Sequence, residues 1–159
     1  MTKKLYVIPG WNEKCSLAPY LTLANLAKSK GYEATCIEIN WKSPLSGQTF
    51  DITEGSIIFG FSLGAILGRL ITQESSCKHL ILASSTVMRN LEGSDHGAYV
   101  DLLGKDFVED IIINITEANK AEKQTTLYGD QEGESSDVLV QNTGHELSDE
   151  YLKVIGELL

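Results

Sequence analysis

Short, continuously apolar runs alternate along the chain with longer runs in which apolar side chains recur three or four residues apart. The first pattern is typical of strands buried on both faces, and the second is typical of helices that bury one face. The pattern predicts strands at 4–10, 32–40, 56–61, 78–85, 124–130 and 137–144. It predicts helices at 16–31, 62–74, 98–116 and 148–159, with irregular chain at 41–55 and 86–97.

This alternation predicts an α/β fold, a three-layer α/β/α sandwich around a mostly parallel central sheet. A chain of 159 residues fits a single domain that spans 1–159. Segment 32–40 alternates polar and apolar residues, so we expect it near an edge of the sheet. Because ligands of such sheets meet the carboxyl ends of the strands, candidate chemistry should directly follow each strand.

Charge and cysteine content exclude several classes of function. A formal net charge of −9 argues against binding to nucleic acid. No apolar run approaches the roughly 18 residues of a membrane helix, so no membrane insertion is expected. Cys15, Cys36 and Cys77 are widely spaced and form no CxxC pair. They predict buried free thiols, a cytoplasmic location and no metal site.

The segment Gly60-Phe61-Ser62-Leu63-Gly64 joins a predicted central strand to a predicted helix. A G-x-S-x-G sequence in that context is a nucleophile elbow. The serine occupies a strained backbone, and each flanking glycine lacks the Cβ that would clash where strand and helix crowd together. The turn therefore predicts that the Ser62 hydroxyl is presented beside the positive end of a helix, where an anion can be stabilised.

A serine hydroxyl needs a base, and the chain offers three histidines. His145 follows the last predicted strand, which places it at the same edge of the sheet as Ser62. His79 begins a strand at the opposite edge, and His96 lies in a predicted loop at the surface or rim. The sequence therefore predicts His145 as the base.

A carboxylate should orient this imidazole, and three acids follow the fifth predicted strand. Asp130, Glu132 and Glu134 all lie in that loop. The residue pattern alone leaves the choice between them open.

The order Ser…acid…His, the elbow, and the segments "VIPGW" and "TGHEL" resemble the α/β-hydrolase superfamily over nearly the whole chain. In that superfamily the acid commonly stands three positions after a glycine, which implies Glu132, with Asp130 as the competing choice. The resemblance also implies an oxyanion hole made by the backbone N–H groups of Leu63 and Trp11. It implies no metal or organic cofactor.

The chain is short for this superfamily, so we expect a shallow, open site with little cap. The side chains that could line an acyl pocket are Trp11, Phe61, Leu63 and Met88. The resemblance implies a serine hydrolase, of carboxylesterase or thioesterase type, that acts on a small-molecule or carrier-linked acyl substrate.

The sequence also bears on two other functions. A catalytically idle hydrolase fold that serves as a binding or interaction module stays open as the alternative. A nucleotide-binding domain is excluded because "PGWNEKC" after the first strand is not a glycine-rich phosphate loop. No oligomeric state is predicted.

Overall fold

The computed structural model of the chain describes residues 2–85 and 88–159, without the side chains of Met88 and Arg89. Its strands are β1 (Lys3–Ile8), β2 (Tyr32–Cys36), β3 (Ile57–Phe61), β4 (His79–Ala83), β5 (Gln124–Gly129) and β6 (Val138–Val140). Its α-helices are α1 (Ala18–Ser29), α2 (Gly64–Glu74), α3 (Met88–Glu92), α4 (His96–Leu103), α5 (Lys105–Asn114) and α6 (Asp149–Leu158). A short 3₁₀ turn lies at Leu45–Gln48.

The strands form one parallel sheet in the order β2-β1-β3-β4-β5-β6. The predicted α/β/α sandwich is confirmed, with β2 at one edge and β3 in the interior of the sheet. All strands run in the same direction, so the ends of β3, β5 and β6 reach the same edge of the sheet. This edge is where the predicted nucleophile, acid and base should meet. Within the described residues, no helix is long and apolar enough to cross a bilayer.

Alternate residues of the central strands pack into two apolar cores, one on each face of the sheet. Ile57, Phe59 and Phe61 of β3 pack on the face that α1 and α6 cover. Ile58 points to the other face, where it joins α2 and α5. Burial on both faces explains why these strands appear in the sequence as continuous apolar runs.

The region between β4 and β5 is more helical than predicted. A single helix at 98–116 was expected, but Gly104 has φ +88° and separates α4 from α5. A left-handed backbone at this glycine ends one helix and lets the next begin in a new direction. The prediction of irregular chain at 86–97 is also wrong for α3 and for the first turn of α4, while Thr86 and Val87 lie outside the described residues.

A disulfide joins Cys15 to Cys36, which corrects the prediction of free thiols. The loop after β1 folds over the end of the neighbouring strand β2, bringing the two Cα atoms to 5.9 Å. The 21-residue separation contains a complete helix, so the sequence spacing gave no sign of this pairing. Cys77 is a buried free thiol as predicted, and burial raises its pKa to about 11.

Removal of this disulfide should destabilise the fold. We expect the double variant Cys15→Ser, Cys36→Ser to lose about 2–4 kcal/mol of unfolding free energy, because the bond restricts a loop of the unfolded chain. Urea unfolding of the two proteins measures the difference. As a check, alkylation of the denatured, unreduced protein should modify Cys77 alone; modification of all three cysteines would show that the bond is absent.

Candidate active site

The elbow at Ser62 has the backbone that the sequence predicted. Ser62 has φ +54°, in the left-handed region that side chains disfavour, and its N–H donates to Ala83 O at 2.8 Å. A Cβ added to Gly60 would lie 2.5 Å from Ala65 Cα, and one added to Gly64 would lie 2.2 Å from Pro9 O. Both glycines are therefore required where strand, helix and the loop after β1 meet.

Ser62, His145 and Glu132 form a continuous chain of hydrogen bonds. Ser62 Oγ lies 2.9 Å from His145 Nε2, and His145 Nδ1 lies 2.7 Å from Glu132 Oε1. An ionised carboxylate can only accept, so Nδ1 carries the ring proton and Nε2 is free to accept from the serine hydroxyl. The side chain of His145 is 56% exposed whereas that of Glu132 is 9% exposed.

Asp130, His79 and His96 make contacts outside this chain of hydrogen bonds, whereas Glu134 lines a pocket of about 190 Å³ together with Glu132 and His145. Asp130 Oδ1 accepts from the Thr143 N–H at 3.1 Å, an interaction that ties the acid loop to the histidine loop. His79 is buried and lies 2.8 Å from Thr125 Oγ1, and burial, together with the charge of Lys123, lowers its pKa. His96 contacts the carbonyl of Leu91 through Nδ1 at 2.7 Å.

The two predicted oxyanion donors lie on neighbouring loops that pack against each other at Gly64 and Pro9. Leu63 directly precedes α2, and Trp11 lies in the turn after β1. Across residues 2–85 and 88–159, neither backbone N–H donates to an acceptor of the protein. The oxyanion hole formed by these two amides stays a prediction.

Solved structures with this arrangement of layers include Est1E from Butyrivibrio proteoclasticus. Est1E is 15% identical in sequence to this chain. Its TM-score is 0.63, and the match covers 98% of this chain and 84% of Est1E. The ydeN gene product from B. subtilis is 14% identical, with a TM-score of 0.61 over 99% and 96% of the two chains.

MGS-MChE2, an alpha/beta hydrolase enzyme from a sediment metagenome, is 14% identical in sequence to this chain. Its TM-score is 0.58, and the match covers 99% of this chain and 89% of MGS-MChE2. The chain has the α/β-hydrolase fold. At the level of sequence, no protein-family model and no curated protein matches it.

In this α/β-hydrolase fold, a buried network that the sequence analysis missed holds Glu132. Its Oε2 atom accepts from Ser84 Oγ at 2.6 Å and from the Gly129 N–H at 2.7 Å. The hydroxyl of Tyr151 lies 2.6 Å from Ser84 Oγ and 3.2 Å from Leu127 O, and its single proton is shared between these two acceptors. Burial raises the pKa of Tyr151, so its phenol remains a neutral donor.

Only part of this network had a signal in the sequence. Ser84 follows β4 directly, at the edge of the sheet where candidate chemistry is expected. Tyr151 lies in α6, and the side-chain reach that brings its hydroxyl to Ser84 has no sequence signature. The network fixes both oxygens of Glu132 and leaves one of them directed to the imidazole.

The hydrolase fold opens at Ser62 into a pocket of about 320 Å³. Besides Ser62 and His145, its lining consists of Trp11, Glu13, Leu63, Tyr99 and Leu102. Trp11 and Leu63 line the pocket as predicted. Tyr99 and Leu102 of α4 form one of its walls.

Phe61 does not line this pocket. It is buried beneath the site, with its ring 5.5 Å from that of His145. The side chain of Met88, also predicted to line the pocket, lies outside the described part of the chain.

Within the residues that the structure describes, no cluster of three or more His, Cys, Asp or Glu side chains could hold a metal ion. A larger cleft of about 570 Å³ runs along β4 and β5 and is lined by Glu134, but by none of Ser62, His145 and Glu132.

Proposed function

We propose that the protein is a serine hydrolase that cleaves a carboxylic ester or thioester through an acyl-enzyme intermediate. The observation that carries this proposal is the hydrogen-bonded chain from Ser62 through His145 to Glu132, which ends in an open pocket. Each member has the chemistry that its position requires: a hydroxyl on a strained elbow, a ring nitrogen able to accept its proton, and a nearly buried carboxylate.

In the acylation step, Ser62 Oγ attacks the carbonyl carbon and His145 Nε2 takes the hydroxyl proton. The carbonyl oxygen becomes an oxyanion, which the N–H groups of Leu63 and Trp11 stabilise. The tetrahedral intermediate then collapses, and the bond to the alcohol or thiol breaks as His145 returns its proton to the leaving group.

Water next attacks the acyl-enzyme with His145 again as the base. The products are a carboxylic acid and free Ser62. Throughout both steps the Glu132 carboxylate remains ionised and stabilises the imidazolium that forms.

The comparisons support acyl chemistry at the level of fold. Est1E is also solved with ferulic acid bound, and ferulic acid is a carboxylic acid, the type of product that ester hydrolysis releases. A pocket of about 320 Å³ with an exposed histidine suits a small acyl substrate or an acyl group presented on a carrier.

Labelling with a fluorophosphonate probe tests the proposal. The probe phosphonylates an activated serine, so the purified chain should be labelled at neutral pH and Ser62→Ala should not be. Peptide mapping of the adduct should locate it on Ser62. If the folded wild-type protein is not labelled, the hydrolase proposal is wrong and the binding-module alternative is favoured.

The cytoplasmic location stays a prediction, and the Cys15–Cys36 bond weighs against it because disulfides persist mainly in oxidising compartments. Acid quenching of cells before alkylation preserves the thiol state of the protein. Reduced Cys15 and Cys36 in quenched cells would support the cytoplasm, and an oxidised pair would contradict it.

A further inference from the structure

Glu13 places a carboxylate inside the pocket at Ser62, a feature that the proposed hydrolysis does not use. A Cβ added to Gly10 would lie 2.7 Å from Glu13 Oε1 and 3.2 Å from Ser62 Cβ. The carboxylate and the nucleophile are therefore separated by little more than the space of one methyl group. The backbone of Glu13 is held by a turn, in which its N–H donates to Gly10 O at 3.2 Å.

No described side chain supplies a cation to this carboxylate. Among the side chains of residues 2–85 and 90–159, no Lys, Arg or His forms an ion pair with Glu13, and the adjacent Lys14 pairs with Glu38 at 3.4 Å. Its polar neighbour is the buried phenol of Tyr20, whose pKa is raised by burial and by the charge of Glu13. The phenol is neutral, so the charge of Glu13 is not compensated.

An uncompensated carboxylate beside the nucleophile opposes the reaction of a neutral substrate. Negative charge develops on the carbonyl oxygen in the transition state. Repulsion between this charge and the Glu13 carboxylate raises the energy of the transition state. A positive charge on the substrate, held at Glu13, removes this penalty. The same carboxylate disfavours substrates whose acyl or leaving group is anionic.

The rest of the pocket also suits a cation. Trp11, which is 40% exposed, and Tyr99 are two of its walls, and aromatic rings attract ammonium groups through their π faces. The acid and histidine loops at this edge, residues 130–134 and 141–146, contain four acidic side chains and no Lys or Arg. The resulting negative potential favours the approach of a positively charged substrate.

We propose that Glu13 determines substrate specificity, and that the pocket binds an ester or thioester carrying an ammonium group close to the scissile bond. The proposal rests on the proposed hydrolase function and names its substrate class. Glu13 is the counter-ion of the ammonium group, and Trp11 and Tyr99 are its apolar walls.

A matched pair of thioesters tests the proposal with the full chain. Butyrylthiocholine carries a trimethylammonium group, and S-(3,3-dimethylbutyl) thiobutyrate has the same shape with carbon in place of nitrogen. We expect wild type to have a higher kcat/KM for the cationic thioester. Glu13→Gln should lower the ratio of cationic to neutral kcat/KM about tenfold, while raising kcat/KM for the neutral thioester.

The control is Glu146→Gln, which removes one negative charge from the same edge of the sheet but lies outside the pocket. It should lower the ratio much less than Glu13→Gln does, because Glu146 contributes only to the overall potential and not to the pocket. A second measurement uses wild type alone, so it does not depend on the folding of a variant: choline should slow fluorophosphonate labelling of Ser62 more than 3,3-dimethylbutanol does.

The outcomes separate the two proposals. Wild type and Glu13→Gln could both hydrolyse the two thioesters through Ser62 with the same ratio of cationic to neutral kcat/KM. This result would overturn the role of Glu13 and leave the hydrolase proposal intact. An equal change in Glu146→Gln would also overturn it, because the effect would then be one of overall charge. If Ser62 is not labelled and neither thioester is cleaved, the hydrolase proposal and this inference both fail.

Discussion

Glu132→Gln is expected to lower kcat by about 10⁴-fold while leaving the fold intact. The size of the loss follows from the tautomer that the substituted amide imposes on His145. In the wild-type protein, the Glu132 carboxylate accepts three hydrogen bonds, from His145 Nδ1, Ser84 Oγ and the Gly129 N–H. The backbone N–H of Gly129 can only donate, so the oxygen of glutamine must remain on that side.

The amide NH₂ of the variant must therefore face His145. It donates to Nδ1, which moves the ring proton to Nε2 and directs it at Ser62. An imidazole in that tautomer has no free acceptor for the serine hydroxyl proton. Steady-state kinetics with a neutral thioester measure the loss, and urea unfolding shows whether the fold has been affected.

Asp130→Asn is the matched control for this variant. Asp130 lies two residues away in the same loop, but its Oδ1 atom accepts from the Thr143 N–H, and an asparagine oxygen can do the same. We expect kcat to stay within a few-fold of wild type. A loss in Asp130→Asn comparable to that in Glu132→Gln would contradict the assignment of Glu132 as the triad acid.

The sheet and the elbow could be predicted because their causes are local in the sequence. Continuous apolar runs indicate strands buried on both faces, and the glycines on either side of Ser62 indicate a sharp turn. The structure agrees: Cβ atoms at Gly60 and Gly64 would overlap backbone atoms of Ala65 and Pro9. The end of a helix at Gly104 was missed because a glycine inside an apolar helical pattern is compatible with a continuous helix.

The choice of acid depends on contacts between segments that are far apart in the chain. Asp130 and Glu132 lie in one loop, and both carry the required group. What distinguishes them is that Ser84, from the end of β4, and Tyr151, from α6, hold Glu132 against the imidazole. Sequence spacing contains no information on such contacts.

The same reason explains why the disulfide and Glu13 were missed. Cys15 and Cys36 meet only because the loop after β1 folds over the end of β2. Glu13 lies in that loop, and its proximity to Ser62 follows from the packing of Gly10 against the elbow. One loop therefore carries Trp11, the proposed oxyanion donor, together with the pocket carboxylate Glu13 and Cys15 of the disulfide.

Gly64→Ala is the second variant with a large expected effect, because it perturbs this loop directly. The new Cβ would lie 2.2 Å from Pro9 O and 2.5 Å from Ile8 O, which are backbone atoms that cannot rotate away. The loop after β1 must move, and with it the N–H of Trp11. Since loss of one oxyanion donor typically lowers turnover by about 10²–10³-fold, we expect kcat to fall by at least that factor.

Gly68→Ala separates this effect from a general intolerance of α2 to alanine. Gly68 is one turn further along the same helix, and the nearest atoms to its added Cβ are Ile58 Cγ2 and Leu80 Cδ1, both at 3.3 Å. These are side-chain methyl groups that can shift slightly, so kcat should remain near the wild-type value. Full activity in Gly64→Ala would show that the loop bearing Trp11 does not supply an oxyanion donor. An equal loss in both variants, with matching losses of unfolding free energy, would assign the effect to α2 itself, since the added Cβ meets backbone atoms of Ile8 and Pro9 at Gly64 but only side-chain methyl groups at Gly68.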